Sequence, residues 1–279
     1  MSLSPVPGRV VDITADELRS FQSTHRESEY TLVDVRQPEE YQGGHIPGAK
    51  LVPLSDFEQR AGDVLALQEQ RVIFYCRSGG RSTRAAGFAV AGLGLTQVFN
   101  LRGGFLAWSG AQVDDLPPLR ALDLQGGVAD LLHQALDLEK GTHRLYEALV
   151  PAFAGTDLEG LIDELVRAEV AHGQVVYDTL ARIGARPSEE FAALFASLPG
   201  QLVESGQSFA EVVGIANARG QDGRAALLEL ALELELRALD LYRALAERTE
   251  DVAAREVLLD LAQQEKRHAE GIFKRLGGK

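Results

Sequence analysis

The second half of this 279-residue chain contains an internal repeat, which constrains the fold more than any other feature. A shift of 96 residues aligns the segment 131–149 with the segment 227–245, and 10 of the 19 aligned positions are identical. Each copy contains a glutamate that is followed 30 positions later by a Glu-x-x-His motif. Such a repeat indicates two units of similar structure that pack against each other. With the helical periodicity of this half, it predicts a four-helix bundle with one long crossover connection. The predicted helices are 127–153, 157–184, 223–248 and 250–276.

Six side chains of the repeat form a predicted metal site. They are the single glutamates Glu139 and Glu235, and the pairs Glu169 with His172 and Glu265 with His268. A spacing of i, i+3 places the carboxylate and the imidazole on one face of a helix. Apolar neighbours such as Leu136 and Leu261 indicate that this face is buried, where four carboxylates without counter-charge would be very costly. Two divalent cations would balance these charges, and carboxylate and imidazole ligands suit iron or manganese. The alternative is an exposed repeat that binds nothing.

The first part of the chain has a different pattern, in which short runs of β-formers alternate with helical stretches. Strands are predicted at 10–13, 31–35, 50–52, 71–76 and 97–100, and helices at 16–21, 55–67 and 81–91. This alternation is typical of a parallel sheet flanked by helices. The segment 110–127 is rich in Gly, Pro and Asp and marks a boundary. We therefore predict an α/β domain over 1–112, a linker over 113–126 and an all-α bundle over 127–279.

The chain contains one cysteine, which excludes a disulfide framework and any zinc site built from several cysteines. Cys76 ends a predicted strand, and a loop that leads into a predicted helix follows it. The residues of this loop are Arg77, Ser78, Gly79, Gly80 and Arg81. Successive backbone N–H groups and a helix N-terminus form an anion cradle at such a turn. Cys76 is therefore the predicted thiolate nucleophile, and the loop 77–81 is predicted to bind an oxyanion such as thiosulfate. The alternative is a buried, inert cysteine.

The net charge of −13 lies almost entirely in the helical half. Residues 1–120 contain 14 acidic and 12 basic side chains, whereas residues 121–279 contain 27 and 16. This acidity argues against nucleic acid as a partner. No stretch approaches the ~18 apolar residues of a membrane span, and the first residues lack the pattern of an export signal. We therefore expect a cytoplasmic protein without a membrane partner.

Four motifs of the first domain resemble those of the rhodanese-like sulfurtransferases and occur in the order of that family. They are Asp34-Val35-Arg36 with Glu40-Tyr41, Gly44-His45-Ile46-Pro47-Gly48-Ala49, the loop 76–82, and Leu101-Arg102-Gly103-Gly104 with Trp108. The resemblance implies that Cys76 accepts sulfane sulfur as a persulfide, that the loop 77–81 holds the oxyanion of the donor, and that the flanking motifs are structural. The spacing Cys-x4-Arg is one residue shorter than the loop of phosphatases with this fold and argues against that activity.

The helical half resembles the ferritin-like superfamily, and within it the rubrerythrin and erythrin branch. This resemblance implies two iron ions, with manganese as the alternative. It further implies that Glu169 and Glu265 bridge the two ions and that Glu139 and Glu235 are terminal ligands. A homodimer through the bundle is also implied by the resemblance alone.

Two features depart from rubrerythrins. Position 238, where rubrerythrins have an additional glutamate, is alanine, and a chain with one cysteine cannot contain their four-cysteine rubredoxin module. Tyr146 and Tyr242 each follow a predicted ligand by seven residues. The family often uses such tyrosines as hydrogen-bond donors to the ligands, and a purely structural role is equally compatible with the sequence. His133 and His143 have no histidine at the corresponding repeat positions, and we predict that neither is a ligand.

Together these features predict a sulfurtransferase that moves sulfane sulfur from thiosulfate or a persulfide to a thiol or other thiophilic acceptor through Cys76. The expected partners are a small-molecule sulfur donor and an external acceptor, because no second cysteine can resolve the persulfide. A di-iron carboxylate site accompanies this activity, and no organic cofactor is expected. Two alternatives stay open: a di-iron oxidoreductase that reduces peroxide or O2 in oxidative-stress defence, and a non-enzymatic protein that binds iron or persulfide.

Overall fold

The computed structural model describes residues 4–277 and divides the chain into two compact units. The first unit is Met1–Leu116 and the second is Pro117–Lys279. An α/β unit precedes an all-α unit, so the predicted fold class is confirmed. None of the helices within the described residues has the length and apolar character that a membrane span requires.

The first unit is built on a five-stranded parallel sheet with the strand order β1-β5-β4-β2-β3. The strands are β1 (Val11–Ile13), β2 (Tyr30–Asp34), β3 (Lys50–Leu51), β4 (Arg71–Tyr75) and β5 (Val98–Leu101). The helices are α1 (Ala15–Gln22), α2 (Pro38–Gln42), α3 (Ala61–Leu65), α4 (Gly80–Ala91) and α5 (Gly104–Ala107). Alternate residues of β4 face opposite sides, so Ile73 and Tyr75 pack in one apolar cluster and Val72 and Phe74 in the other. Both faces of the sheet are therefore covered, as parallel sheets require.

The helix expected over 55–67 is wrong in extent. The chain there forms a 3-10 turn, Leu54–Asp56, and the short helix α3. The Arg60 guanidinium donates to the carbonyl oxygen of Leu51 at 2.8 Å, which ties this segment to the end of β3.

Within its described residues, the second unit contains four long α-helices and two shorter ones. They are α6 (Val128–Phe153), α7 (Glu159–Arg182), α8 (Phe191–Ser197), α9 (Phe209–Arg219), α10 (Arg224–Ala246) and α11 (Val252–Arg275). Helix α6 pairs with α7, and α10 pairs with α11. On α6, buried leucines up to Leu138 belong to one apolar cluster, and those from Leu145 onward belong to a second. The bundle therefore has two apolar layers, and Glu139 lies between them.

The connection between α7 and α10 passes directly over α6. The N–H of Gly200 donates to Asp137 Oδ1 at 2.9 Å, and Arg144 Nη1 donates to the carbonyl oxygen of Gly200 at 2.9 Å. At Gly141, an added Cβ would lie 1.8 Å from the carbonyl oxygen of Leu202. Glycine at position 141 is therefore what allows the connection to lie on the helix.

We predict that Gly141→Ala lowers the free energy of unfolding of the helical unit by about 1–3 kcal/mol, because the added methyl group displaces the connection. Gly271→Ala is the matched control, since Gly271 lies within α11 and a Cβ there meets nothing within 4 Å. This second variant should gain about 0.5–1 kcal/mol from higher helix propensity. Urea unfolding followed by circular dichroism measures both. Equal stability of the two variants would contradict the close approach.

Candidate functional site

Cys76 directly follows β4 at the carboxyl edge of the parallel sheet, where ligands of such sheets commonly bind. Its side chain is buried, with 1% of its surface exposed. The N–H of Gly79 donates to Sγ at 3.1 Å. The Ser82 hydroxyl lies 3.6 Å from Sγ, and Asn100 Oδ1 at 2.7 Å and the Gly79 carbonyl oxygen at 3.0 Å are further acceptors for its proton. Gly79 has φ +102°, a left-handed conformation that favours glycine. The loop thus curls around the sulfur atom and presents hydrogen-bond donors to it.

These donors change the acidity of the thiol. Burial raises the pKa of Cys76, but the Ser82 hydroxyl and the amides of Ser82, Ser78 and Gly79 outweigh burial and leave the pKa below its usual value. Because the thiolate is the nucleophilic form, this environment favours a reactive cysteine over an inert one.

The two arginines of the loop have different surroundings. Arg77 is exposed at the loop surface, as are Ser78 and Gly80. The Arg81 guanidinium instead donates to both carboxylate oxygens of Glu40, at 2.6 and 2.7 Å. This bidentate hydrogen bonding lowers the pKa of Glu40 to about 2. Glu40 also raises the pKa of Arg81, with a smaller contribution from Cys76. Glu40 therefore holds Arg81 beside the sulfur atom, a role that the sequence motif did not reveal.

The start of α5 supports the loop through its backbone. The N–H of Phe105 donates to the carbonyl oxygen of Cys76 at 2.7 Å, and the N–H of Leu106 donates to that of Arg77 at 3.0 Å. A Cβ at Gly104 would lie 2.2 Å from the Cys76 carbonyl oxygen. The start of α5 thus binds the carbonyl groups of Cys76 and Arg77 and holds the loop in the conformation in which its N–H groups face the sulfur atom.

Other residues of the motifs form the scaffold. The His45 ring stacks on Tyr41 at 3.6 Å between ring centroids, and its Nδ1 lies 3.1 Å from the Tyr41 carbonyl oxygen. Asp34 and Arg36 form a buried ion pair at 2.6 Å.

In the second unit, the six predicted metal ligands converge between the two apolar layers. Three of the groupings with mutual distances within 4.8 Å are Glu139, Glu169 and His172; Glu169, Glu235, Glu265 and His268; and His172, Glu265 and His268. Each of the six belongs to at least one grouping that includes a ligand of the other repeat. The donor atoms of the two repeats therefore form one continuous cluster.

The donor atoms of this cluster fit metal ions. Within residues 4–277, Glu139 Oε2, both carboxylate oxygens of Glu169, Glu265 Oε1 and both ring nitrogens of His172 have no hydrogen-bond partner. His172 Nδ1 lies 3.0 Å from Glu265 Oε1, but the two atoms are not oriented as a hydrogen bond. Buried polar atoms without partners are costly, so the cluster requires cations or protons.

The ionisation of the cluster follows from burial and mutual charge. Burial raises the pKa of Glu169 well above its usual value, and it raises that of Glu235 to about 7. Burial opposes protonation of the histidines, but hydrogen bonds to Glu235 and Glu265 raise the pKa of His268 to about 11. A metal ion that binds here must displace protons.

Two tyrosines connect the repeats at this site. The Tyr146 hydroxyl donates to Glu235 Oε1, and the Tyr242 hydroxyl donates to Glu139 Oε1. Each tyrosine therefore holds the terminal glutamate of the other repeat, which favours the donor role over a purely structural one. His133 is exposed, and His143 makes an edge-to-face contact with Phe195, so both lie outside the cluster.

Glu204 is a further buried carboxylate that the sequence analysis missed. It lies in the connection between α8 and α9, and one of its oxygens lies within 4.8 Å of oxygens of Glu139 and Glu265. The self-alignment could not detect it, because the connection lies outside the repeated segments and lacks helical periodicity.

Comparison with known proteins supports both halves of the chain. The family model of the rhodanese-like domain matches residues 14–111, and the rubrerythrin model matches residues 226–278. The chain is 40% identical to the uncharacterized protein YqhL of Bacillus subtilis over 90 residues. This alignment covers 32% of the chain and 68% of that protein. It is 38% identical over 78 residues to a protein of Allochromatium vinosum named sulfurtransferase, which covers 28% of this chain and 70% of that protein. It is 35% identical over 104 residues to the probable adenylyltransferase/sulfurtransferase MoeZ of Mycobacterium tuberculosis, which covers 37% of this chain but only 26% of MoeZ.

These matches define the class of the first unit as a rhodanese-like domain. The chain belongs to the rhodanese-like family and carries a rubrerythrin-type region in its helical half. Both family resemblances noted in the sequence are confirmed.

We predict that Ser82→Ala raises the pKa of the Cys76 thiol, because it removes a hydrogen bond that stabilises the thiolate. The pH dependence of alkylation by iodoacetamide measures this pKa, and its midpoint should move to higher pH. Ser78→Ala is the control, since it retains the backbone amide that acts on the sulfur atom. Identical midpoints for the wild type and Ser82→Ala would show that this hydroxyl does not tune the thiol.

Proposed function

We propose that the chain is a sulfurtransferase in which Cys76 carries sulfane sulfur, and that its helical half binds two iron ions. The observation that supports the sulfurtransferase most strongly is the loop around Cys76, where the Ser82 hydroxyl and backbone amides lower the pKa of a buried thiol. The proposal is in keeping with the name of the relative from Allochromatium vinosum.

The first step uses thiosulfate or a persulfide as the donor. The Cys76 thiolate attacks the outer sulfur atom of thiosulfate, and a new S–S bond forms to Cys76. The S–S bond of thiosulfate breaks, and its electron pair leaves with sulfite. The loop amides and the Ser82 hydroxyl then stabilise the negative charge on the persulfide, while exposed Arg77 attracts the anionic donor.

The second step requires an external acceptor. A thiolate or cyanide attacks the terminal sulfur atom of the persulfide, takes up that sulfur, and releases the Cys76 thiolate. The chain has no second cysteine that could displace the sulfur by forming a disulfide. We therefore propose a small thiol or a thiol of another protein as the acceptor.

Glu139, Glu169, Glu235, Glu265, His172 and His268 would hold the metal ions. Iron is proposed because mixed carboxylate and imidazole donors suit it and because the rubrerythrin family model matches this region. When bound, the ions would supply redox chemistry. The protein's own contribution is to exclude water with the two apolar layers and to orient Glu139 and Glu235 through the tyrosine hydroxyls.

We predict that Cys76→Ser abolishes sulfur transfer from thiosulfate to cyanide, because the hydroxyl group cannot form a persulfide. The assay measures thiocyanate, and intact-mass spectrometry of the wild type after thiosulfate treatment should show the addition of one sulfur atom. A chelator should leave the wild-type rate unchanged, because the reaction needs no metal. Residual transfer in a folded Cys76→Ser variant at the wild-type rate would contradict the proposal.

We also predict that metal binding stabilises the helical unit. A ligand present at 100 times its dissociation constant adds about 2.7 kcal/mol to the free energy of unfolding. Treatment with a chelator should therefore lower the melting temperature of the iron-loaded chain, and added Fe²⁺ should restore it. Calorimetry measures the change, and metal analysis should give two ions per chain. A melting curve that neither treatment alters would argue against the metal site.

A further inference from the structure

Glu204 places a fifth carboxylate beside the predicted metal ligands, and it comes from a loop. Only 3% of its surface is exposed. One of its oxygens lies within 4.8 Å of oxygens of Glu139 and Glu265, and its Oε1 has no hydrogen-bond partner in the described part of the chain. Tyr242 also approaches this carboxylate, but the single proton of its hydroxyl is donated to Glu139. Within the described residues, Oε1 of Glu204 is thus buried without a hydrogen-bond donor.

The backbone around Glu204 is held in place on α6. The N–H of Glu204 donates to Thr142 Oγ1 at 3.2 Å, and the neighbouring Val203 is fully buried. A tight turn follows, in which the N–H of Gly206 donates to the carbonyl oxygen of Val203 at 2.8 Å. Together with the close approach at Gly141, these contacts fix the position from which the side chain enters the bundle.

A buried carboxylate oxygen without a donor destabilises a bundle unless a cation or a proton compensates it. The backbone contacts direct Glu204 toward the cluster although its burial there costs stability. Position 238 of α10 is a buried alanine, so the helix supplies no additional carboxylate there.

We propose that Glu204 is a seventh metal ligand, contributed by the crossover connection to the ion nearest Glu139. This inference rests on the metal site of the proposed function. It makes the two ions unequal, because the repeat places no corresponding carboxylate beside Glu235 in the groupings of donor atoms within residues 4–277.

The additional charge has a consequence for the kind of ion that is preferred. Five carboxylates exceed the charge of two divalent ions by one negative charge, whereas two trivalent ions exceed the five carboxylates by one positive charge. Glu204 therefore stabilises a trivalent ion next to Glu139 more than a divalent one.

The test compares Glu204→Gln and Glu204→Asp with the wild type. Glu190→Gln is the matched control, because it removes the same charge from the same connection at a side chain that is 85% exposed. Each chain is stripped of metal and titrated with Mn²⁺ and, separately, with Ga³⁺ citrate, against a competing chelator. Neither ion changes oxidation state, so the readout is affinity and stoichiometry alone.

We expect two ions in the wild type and in the control. In Glu204→Gln, one of the two ions should bind at least about tenfold more weakly, with a larger loss for Ga³⁺ than for Mn²⁺. Glu204→Asp keeps the charge but withdraws the oxygen by one methylene, so it should also lose affinity at one site. The metal-free Glu204→Gln chain should melt no lower than the wild type, because it loses a buried carboxyl group whose Oε1 has no hydrogen-bond donor among the described residues.

Unchanged affinities in both variants would overturn the ligand role of Glu204 and leave the metal site itself intact. Wild-type affinity in Glu204→Asp with loss in Glu204→Gln would also overturn it, since that pattern indicates a charge effect without coordination. A wild type that binds neither ion would refute the proposed metal site and this inference together. If Glu204→Gln does not fold, Glu204→Asp decides alone.

Discussion

The burial of like charges is the constraint on which the helical unit depends. Four helix glutamates and Glu204 lie between two apolar layers, where each carboxylate loses its hydration. Tyrosine hydroxyls donate to Glu139 and Glu235, and His268 Nδ1 lies within hydrogen-bond distance of Glu235 and Glu265. The oxygens that have no partner among the described residues depend on cations or protons. The two helical hairpins, α6 with α7 and α10 with α11, therefore hold a cluster of buried charges in place. A purely apolar bundle of the same size would need none of these contacts.

The α/β unit stabilises an anion by different means. Its sulfur atom is surrounded by backbone dipoles and one hydroxyl, and Arg81 of the loop is paired with Glu40. Dipoles of fixed orientation need no counter-ion and do not exchange with solvent salt. This environment depends on the backbone, so glycines matter most: Gly79 permits the left-handed turn, and Gly104 permits the contact with α5. Buried negative charge is thus stabilised mainly by side chains in the helical unit and mainly by main-chain N–H groups in the α/β unit.

The sequence predicted the parts of these sites that depend on periodicity. Helix repeats preserve spacing, so the six predicted ligands could be found by self-alignment, and the structure brings them together. The strand-loop-helix pattern likewise located Cys76. Contacts between distant segments left no such pattern. Glu40 lies 41 positions from Arg81, and Glu204 lies in a turn without any repeat. The helix predicted over 55–67 is longer than α3. Local helix propensity does not account for the hydrogen bond from Arg60 to the carbonyl oxygen of Leu51 at the end of β3.

The crossed tyrosine bonds make each half of the repeat incomplete without the other. Tyr146 of the first hairpin donates a hydrogen bond to Glu235 of the second, and Tyr242 of the second hairpin donates one to Glu139 of the first. A single hairpin lacks a donor for its own glutamate, but two identical hairpins would satisfy both bonds across a twofold axis. Duplication and fusion of one such hairpin would leave this geometry, in which each half supplies the hydrogen bond that the other half needs. The connecting segment lies outside the repeat, and it contributes Glu204, a buried acid that has no counterpart among the described residues of the other half.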